Sequence, residues 1–265
     1  MRGFGLGRAG SLARLGGLTL IAGVAGIAVL ALAGCSTSGP TITGNPGSAV
    51  SPTPTASPGF SVPGTHKSTT VYQISSPVST VVVTSHVGDV TVVGGGSATS
   101  VTQQVDYSST PPVTSRTISG GTLTVTYTCP FQLVCGVGYV IQVPRDVAVQ
   151  ANVGTGAIRL TGLAGSVTAR TDVGLITATG LTGGSVSLTT GVGGISATFT
   201  ASPAAIEALT RVGAITLRVP GVVSYNVSVD DRLGKATVSV RQSPSAPHAI
   251  TVVTDVGDVL IAPLA

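Results

Sequence analysis

The sequence of 265 residues contains no Trp, and aromatic residues make up only 3% of it. Charged residues are also scarce, at 8%, whereas 42% of the residues are hydrophobic. Apolar content this high with so little charge excludes a wholly disordered chain. It also excludes helical bundles and coiled coils, which draw heavily on Glu, Lys and Arg. The chain is instead rich in Val, Thr and Ser, interrupted by 37 Gly, which predicts an all-β fold with many tight turns.

Motifs for common catalytic chemistry are missing as well. The sequence has no Gly-x-Ser-x-Gly, no phosphate-binding loop and no His-Glu-x-x-His. Its three histidines, His66, His86 and His248, are far apart in the sequence, and we interpret each as a solvated surface residue. We therefore expect a protein that is not an enzyme and that has no cofactor and no metal site.

The positive charge of the chain is concentrated at its N-terminus. Arg2, Arg8 and Arg14 precede an uncharged apolar stretch over residues 15–34, which is typical of an export signal. These three account for most of the excess of 13 Lys and Arg over nine Asp and Glu. Without residues 1–34 the chain is nearly neutral, so its basic character predicts no nucleic-acid partner.

The apolar stretch ends in Leu32-Ala33-Gly34-Cys35, which resembles the lipobox of bacterial lipoproteins. The resemblance implies that residues 1–34 are a signal peptide and that Cys35 carries diacylglycerol, with a further acyl chain such as palmitate on its amine. Each buried CH₂ contributes about 0.8 kcal/mol, so two or three chains anchor a protein stably. We expect an anchor on the extracytoplasmic side of the cell membrane. An uncleaved signal anchor is the alternative, since about 20 apolar residues can span a bilayer.

A tether follows the anchor. Ser, Thr, Pro and Gly make up 26 of the 35 residues from 36 to 70, and the only charged residue there is Lys67. Such a segment buries too little apolar surface to offset its ordering entropy. We predict that residues 35–70 are the lipidated Cys and a disordered tether, and that the folded domain is residues 71–265. The Ser and Thr residues beside Pro could be O-glycosylated, or the tether could be an unmodified spacer.

A ten-residue pattern recurs in the folded part. It begins with a β-branched residue, has a small or aliphatic residue at +2, Gly at +7 and an apolar residue at +9. The copies start at Val81, Val149, Val167, Val186, Ile206, Val227 and Ile250, and their +7 glycines are Gly88, Gly156, Gly174, Gly193, Gly213, Gly234 and Gly257. The apolar positions change from even to odd at the Gly, so the chain must turn a corner there.

A repeat of about 20 residues that cannot bury its own apolar face is typical of a solenoid in which each coil stacks on the previous one. We predict a parallel β-helix or β-solenoid with the glycines in a column. Residues 95–145 lack the repeat and alternate instead as hairpins, which predicts an N-terminal cap. A β-sandwich is the alternative, because its turns also recur every 8 to 12 residues.

Two cysteines and two charge pairs lie in this part of the chain. In an exported protein Cys129 and Cys135 are expected to form a disulfide. Free thiols or a metal site are the alternatives. If coils stack about 4.8 Å apart, Arg232 lies beside Asp255 and Lys235 beside Asp258, as exposed structural pairs. A calcium site at these aspartates is a weaker alternative.

The phrases at residues 171–176, 190–195 and 254–259, such as Thr-Asp-Val-Gly-Leu-Ile, resemble an adhesin-like β-solenoid domain of unknown function. That family is widespread in bacterial envelope proteins, and its lipoprotein versions are common in high-GC Gram-positive, actinobacterial-type organisms. The resemblance covers most of the chain from about residue 71. It implies a non-catalytic surface protein and supplies no catalytic residues.

These observations together predict a membrane-anchored cell-envelope lipoprotein. Its adhesin-like domain is expected to bind a cell-wall polymer, another envelope protein or a host surface. A polysaccharide-active β-helix enzyme is one alternative, although the outward positions of the repeat do not stack carboxylates on consecutive coils. An envelope-stress sensor is the other, because some members of the family that the chain resembles are linked to that role.

Overall fold

The computed structural model of the protein describes residues 65–264. The predicted signal peptide (1–34), Cys35 and most of the predicted tether lie outside the described residues. Every regular element within the described range is a β-strand, in agreement with the composition. Within this range the buried hydrophobic residues form one core.

Nineteen strands make up the domain. They are β1 (His66–Ile74), β2 (Thr80–Val87), β3 (Val90–Gly94), β4 (Thr99–Tyr107), β5 (Val113–Ser119), β6 (Thr122–Thr128), β7 (Cys135–Val143), β8 (Ala148–Thr155), β9 (Ile158–Thr161), β10 (Val167–Val173), β11 (Ile176–Leu181), β12 (Ser185–Val192), β13 (Ile195–Phe199), β14 (Ala205–Val212), β15 (Ile215–Val219), β16 (Asn226–Asp231), β17 (Ala236–Val238), β18 (Ala249–Val256) and β19 (Val259–Pro263).

The strands form two large mixed sheets. The first has the order β1-β4-β7-β3-β9-β11-β13-β15-β19-β17, and the second has the order β16-β18-β14-β12-β10-β8-β2-β6-β5. Both contribute side chains to the one core, and neither closes on itself. This arrangement fits a β-sandwich-like packing, which is the alternative that the sequence left open.

The change of buried face at the corner glycine is confirmed. In the second copy of the repeat, β8 buries Val149, Ala151 and Val153, whereas β9, after Gly156, buries Ile158 and Leu160. One strand of each copy therefore lies in the second sheet and the other in the first, and the glycine is where the chain passes between them.

Equivalent positions of the repeat pair directly with one another. Val167 pairs in parallel with Val149 on one side and with Val186 on the other, and Ile206 pairs with Val186 and Ile250. The alignment of these copies, derived from the sequence, is therefore correct to the residue.

The stacking order differs from the chain order at the C-terminal end. The pair β18–β19 lies between β14–β15 and β16–β17, so the last copy of the repeat is inserted before the penultimate one. The expectation that each copy stacks on the previous one is wrong here. The reason is polarity: β16 begins Asn226-Val227-Ser228 and buries no residue fully, whereas β18 buries Ile250 and Val252. The less apolar strand therefore takes the sheet edge.

Antiparallel pairs occur among the N-terminal strands, in the part of the chain that lacks the repeat. β5 and β6 form a hairpin, and β4 pairs antiparallel with both β1 and β7. β1 starts at His66 and so includes the last residues of the predicted tether. Its Thr and Ser residues favour an extended edge strand, and Lys67 pairs with Asp106 of β4 at 3.2 Å.

Buried hydroxyl groups tie the layers together beside the corners. The hydroxyls of Thr171, Thr190 and Thr210 each donate a hydrogen bond to the carbonyl oxygen of a corner glycine in the adjacent layer, at 3.0–3.1 Å. Thr254 makes the equivalent bond to Gly213 at 3.4 Å. Each bond satisfies a carbonyl that the strand ladder leaves free, which is why a polar residue is tolerated at this buried position.

Candidate functional site

The corner glycines have a structural role. Six of the seven adopt positive φ: Gly88 (137°), Gly156 (150°), Gly174 (155°), Gly193 (145°), Gly213 (150°) and Gly257 (145°). A side chain at Gly174 would collide with the carbonyl oxygen of Gly156 in the next layer. Gly234 does not adopt a positive φ, but a Cβ there would also collide with a backbone carbonyl oxygen, that of Gly257. The column therefore sets the spacing of layers and offers no ligand groups.

The predicted disulfide between Cys129 and Cys135 is confirmed, with their Cα atoms 6.0 Å apart. It closes the loop between β6 and β7. The amide of Gln132 within this loop fixes it to the segment after β4, because its Oε1 accepts hydrogen bonds from the Ser109 and Thr110 N–H groups at 2.9 and 3.2 Å. Its Nε2 donates to the Thr110 carbonyl at 2.7 Å. The loop is thus held by a covalent bond and by hydrogen bonds between Gln132 and the segment after β4.

This fixed loop displays two large apolar side chains to solvent. Phe131 is fully exposed, at 109% relative accessibility, and Leu133 is 90% exposed. Single exposed apolar residues are common on protein surfaces. Two of them on one constrained loop form a contact point, and a partner that binds there does not have to order the loop. No pattern in the sequence marks Phe131 or Leu133 as exposed.

An open groove of about 640 Å³ lies beside the loop. Leu133 and Val87 contribute to its apolar lining, and Lys67, Asp89 and Asp106 contribute charges. A concave surface with apolar walls and a few polar groups is typical of a ligand site. Together with Phe131 it forms what we call the loop groove.

The carboxylates of the loop groove are held in ion pairs. Asp106 contacts Lys67, and Asp89 contacts Arg159 at 2.9 Å. Partial burial alone would raise the pKa of Asp89, but hydrogen bonds from the Ala157 N–H and from Arg159, with the charge of Arg159, outweigh it and lower the pKa. Asp89 is therefore ionised at neutral pH and is unsuited to act as a general acid.

The predicted charge pairs are partly as expected. Arg232 contacts Asp255 at 3.2 Å, as the repeat alignment requires. Asp258 does lie beside Lys235, but its Oδ1 accepts a hydrogen bond from the Lys235 backbone N–H at 3.0 Å. Within residues 65–264 the Lys235 ammonium forms no ion pair. The second expected pair is therefore corrected to a carboxylate–amide contact.

The histidines are more involved than their sequence context suggests. His66 stacks on Tyr107, and His86 packs against the edge of Tyr127. His248 lies with its Nδ1 2.8 Å from the carbonyl oxygen of Pro203, so it is a packed residue and not the solvated one that we expected. In the described part of the chain, no three His, Cys, Asp or Glu residues come together as a metal site would require.

Over residues 65–264 the structure has no helix of the length and apolarity needed to cross a bilayer.

Comparison with known proteins shows a shared fold. No protein-family model matches the sequence, and no curated protein matches it either. A candidate cell adhesion protein from Clostridium sporogenes superposes with a TM-score of 0.52 at 10% identity, over 75% of this chain and 100% of that one. A candidate adhesin from Bacteroides fragilis (TM-score 0.44, 13% identity) covers 76% of this chain and 99% of its own. For a candidate lipid-binding protein from Parabacteroides distasonis the values are 0.31, 11%, 75% and 97%. At the level of fold, the domain is therefore similar to a bacterial candidate adhesion protein.

Proposed function

We propose that the protein is a cell-envelope lipoprotein that is held at the membrane by lipid on Cys35. Its non-catalytic, adhesin-like domain binds a partner through the loop groove. The observation that carries the binding role is the display of Phe131 and Leu133 on a loop fixed by the disulfide and by Gln132. An apolar contact beside charged groups favours another envelope protein over a cell-wall polymer.

The stacked layers support a β-solenoid as the finer description of the domain. Each copy of the repeat forms one coil, and equivalent residues such as Val167 and Val186 pair in parallel between coils. In this description β4, β5 and β1 are the N-terminal cap. A solenoid is an extended scaffold, so it carries the loop groove at one end and leaves its long faces free.

A non-enzymatic role is supported by the charges. The carboxylates of the loop groove are occupied by Lys67 and Arg159, and the pKa of Asp89 is lowered, whereas a glycosidase needs one carboxyl with a raised pKa.

The membrane anchor is tested by metabolic labelling with palmitate in cells that express the full chain or its Cys35→Ala variant. We expect label and membrane association for the wild type and loss of both for the variant. A Ser36→Ala variant is the matched control and should be labelled normally. Equal labelling of the Cys35→Ala variant would remove the lipoprotein assignment.

The binding role is tested with residues 36–265, which lack the anchor but contain all nineteen described strands and the core between them. We expect this protein to bind envelopes from cells that lack the gene, and the double variant Phe131→Ser/Leu133→Ser to bind at least roughly tenfold more weakly. Val222→Ser, at a position that is 81% exposed and outside the loop groove, should bind as the wild type does. Unchanged binding by the double variant would contradict the role of the loop.

A further inference from the structure

A ridge of exposed aliphatic side chains runs along the corners of the repeat. The residue immediately before each corner glycine is half-exposed, and it is Val in five layers, with exposed fractions of 44–51%. In the order of the strands in the sheet, the ridge consists of Val87, Thr155, Val173, Val192, Val212, Val256 and Leu233. We call this row the valine ridge.

The valine ridge is continuous. Val192 pairs with Val173 on one side and with Val212 on the other, and Val212 pairs with Val256. Leu233 is the last residue of the row. It lies beside the corner at Val256 and Gly257, since its carbonyl oxygen accepts a hydrogen bond from the Gly257 N–H. Seven strands at about 4.8 Å spacing give a length of about 29 Å. Apart from Thr155 the row is apolar, and an extended apolar row on the surface is typical of a protein–protein interface.

The two positions that flank the ridge carry charges in a particular order. One is the residue before each ridge position, and the other is the residue two after it. At the central strand both are glycines, Gly191 and Gly194, so another surface can approach closely. One strand to either side, the first flank has Asp172 and Arg211. Three strands to either side, the second flank has Asp89 and Lys235. Asp172 is thus matched by Arg211, and Asp89 by Lys235, at equal distances from Val192. Asp255 and Asp258, two strands from Val192 on the side of Arg211, are matched by the uncharged Gly154 and Ala157.

We propose that the valine ridge is covered by the same ridge of a second copy of this chain, in antiparallel orientation about a two-fold axis at Val192. The axis brings Val192 against its own counterpart and Val173 against Val212 of the other copy. Asp172 then faces Arg211, and Asp89 faces Lys235, twice each by symmetry. Arg211 and the Lys235 ammonium form no ion pair with any residue between 65 and 264. Asp172 and Asp89 already contact Arg170 and Arg159, so in the dimer each aspartate is shared between two cations.

The parallel orientation is disfavoured by the same charges. It would place the first flank of each strand against the second flank of the same strand in the other copy. Arg232 would then face Lys235, and Asp255 would face Asp258. In the antiparallel orientation Arg232 faces His86 and Lys235 faces Asp89 of the other copy. Asp255 then faces Gly154, and Asp258 faces Ala157, so no two like charges of ionised Asp, Lys or Arg are opposed. Complementary charge therefore selects the antiparallel pair.

The size of the ridge predicts a weak dimer. A strip about 29 Å long with its flanks buries on the order of 500 Å² per copy, or about 1,000 Å² in total, which is the lower limit for a specific interface. The inference does not depend on the lipid anchor. The residues varied in its test, Val192, Asp172 and Arg211, lie outside the loop groove, although Val87 and Asp89 at one end of the ridge also line it. Its test therefore uses residues 36–265 in solution and leaves the proposed function untouched if it fails.

Charge reversal tests the pairing. By sedimentation velocity over a concentration series, we expect the wild type to dimerise and Val192→Asp to be monomeric. Val222→Asp, which places the same charge on an exposed site off the ridge, should dimerise normally. Asp172→Arg and Arg211→Asp should each weaken dimerisation roughly tenfold, and the double variant should restore it. A wild type that stays monomeric throughout the series, or a double variant that is weaker than either single variant, overturns the proposal.

The two-fold axis gives a second test. Because Val192 meets its own counterpart, a Val192→Cys variant should form an intermolecular disulfide on mild oxidation with copper phenanthroline. Val222→Cys is the control for random collision and should crosslink far less. Equal crosslinking at the two positions contradicts an axis at Val192.

Discussion

At Gly174 the backbone leaves no room for a side chain. Its φ is +155°, and a Cβ atom would meet the carbonyl oxygen of Gly156. That carbonyl accepts the hydrogen bond from the Thr171 hydroxyl, so it cannot move away without losing this bond. Each corner glycine is in turn approached by the glycine of the next layer. One glycine per layer is therefore a requirement of stacking.

We expect Gly174→Ala to lower the free energy of unfolding by at least about 2 kcal/mol, because it adds a steric collision to an unfavourable φ. Gly180→Ala is the matched control: its φ is +66° but nothing lies within 4 Å of the added Cβ, so a loss of about 1 kcal/mol is expected. Urea unfolding followed by circular dichroism measures both. Equal losses would show that the φ alone, and not the close approach, selects glycine.

Asp89 gives a pH dependence with a defined sign. Its pKa is lowered in the folded state from the ordinary value of 3.8, so the unfolded chain binds a proton more readily in the acid range. The stabilisation is present above about pH 4 and is lost as the pH falls through the lowered pKa. Since the side chain is half-exposed, we expect Asp89→Asn to cost only about 0.5 kcal/mol at pH 7.

The difference between Asp89→Asn and the wild type should disappear near pH 2 in thermal unfolding experiments. Asp146→Asn is the control, since this exposed carboxylate forms no ion pair among the described residues. A difference at Asp89 that grows on acidification would contradict the lowered pKa.

The disulfide loop acts as an element of its own. Its ring is short, because the two cysteines are six positions apart in sequence, so removing the bond should cost only about 2 kcal/mol. We expect Cys129→Ser/Cys135→Ser to remain folded, because the core does not include the loop. Hydrogen exchange should then rise in residues 129–135 and stay unchanged in β10 and β12. Loss of the whole fold would contradict this division.

Individual strands show what the sequence could predict. The copies at Val149, Val167 and Val186 were aligned correctly because each strand alternates between a buried apolar face and a polar face, and the alternation changes at the glycine. The order of β16 and β18 was not predictable from spacing, since position in the stack depends on which strand is polar enough for an edge. β1 was missed because its Thr and Ser residues, taken alone, also suit a disordered tether.

The binding surfaces were harder to predict than the strands. The valines before the corners belong to the repeat, but a sequence pattern does not say that Val192 faces solvent at a corner whereas Val186 faces the core. Phe131 and Leu133 lie in a loop with no periodicity, so their exposure follows from the Cys129–Cys135 bond and the Gln132 contacts alone.

At the scale of the whole molecule, the insertion of β18–β19 makes the pairing of β16 and β17 depend on the last strands of the chain. Among the described strands, β16 pairs only with β18, and β17 only with β19. We expect deletion of residues 247–265 to leave residues 221–246 without a partner and to make them sensitive to limited proteolysis. The control is deletion of residues 36–75 from the anchor-free protein, which removes the edge strand β1 (His66–Ile74) and should leave the other strands protected. Equal protection in both deletions would contradict the inserted order.

The insertion also constrains when the protein can become complete. Residues 226–238 are made before residues 249–263, yet they can join their sheets only through them. A ribosome or export channel that delivers the chain from its N-terminus therefore releases the penultimate layer before its native partner strands, β18 and β19, are present. This end of the domain can therefore assemble only after the final strands have been delivered. The last residues of the chain complete the fold of a segment that was made before them.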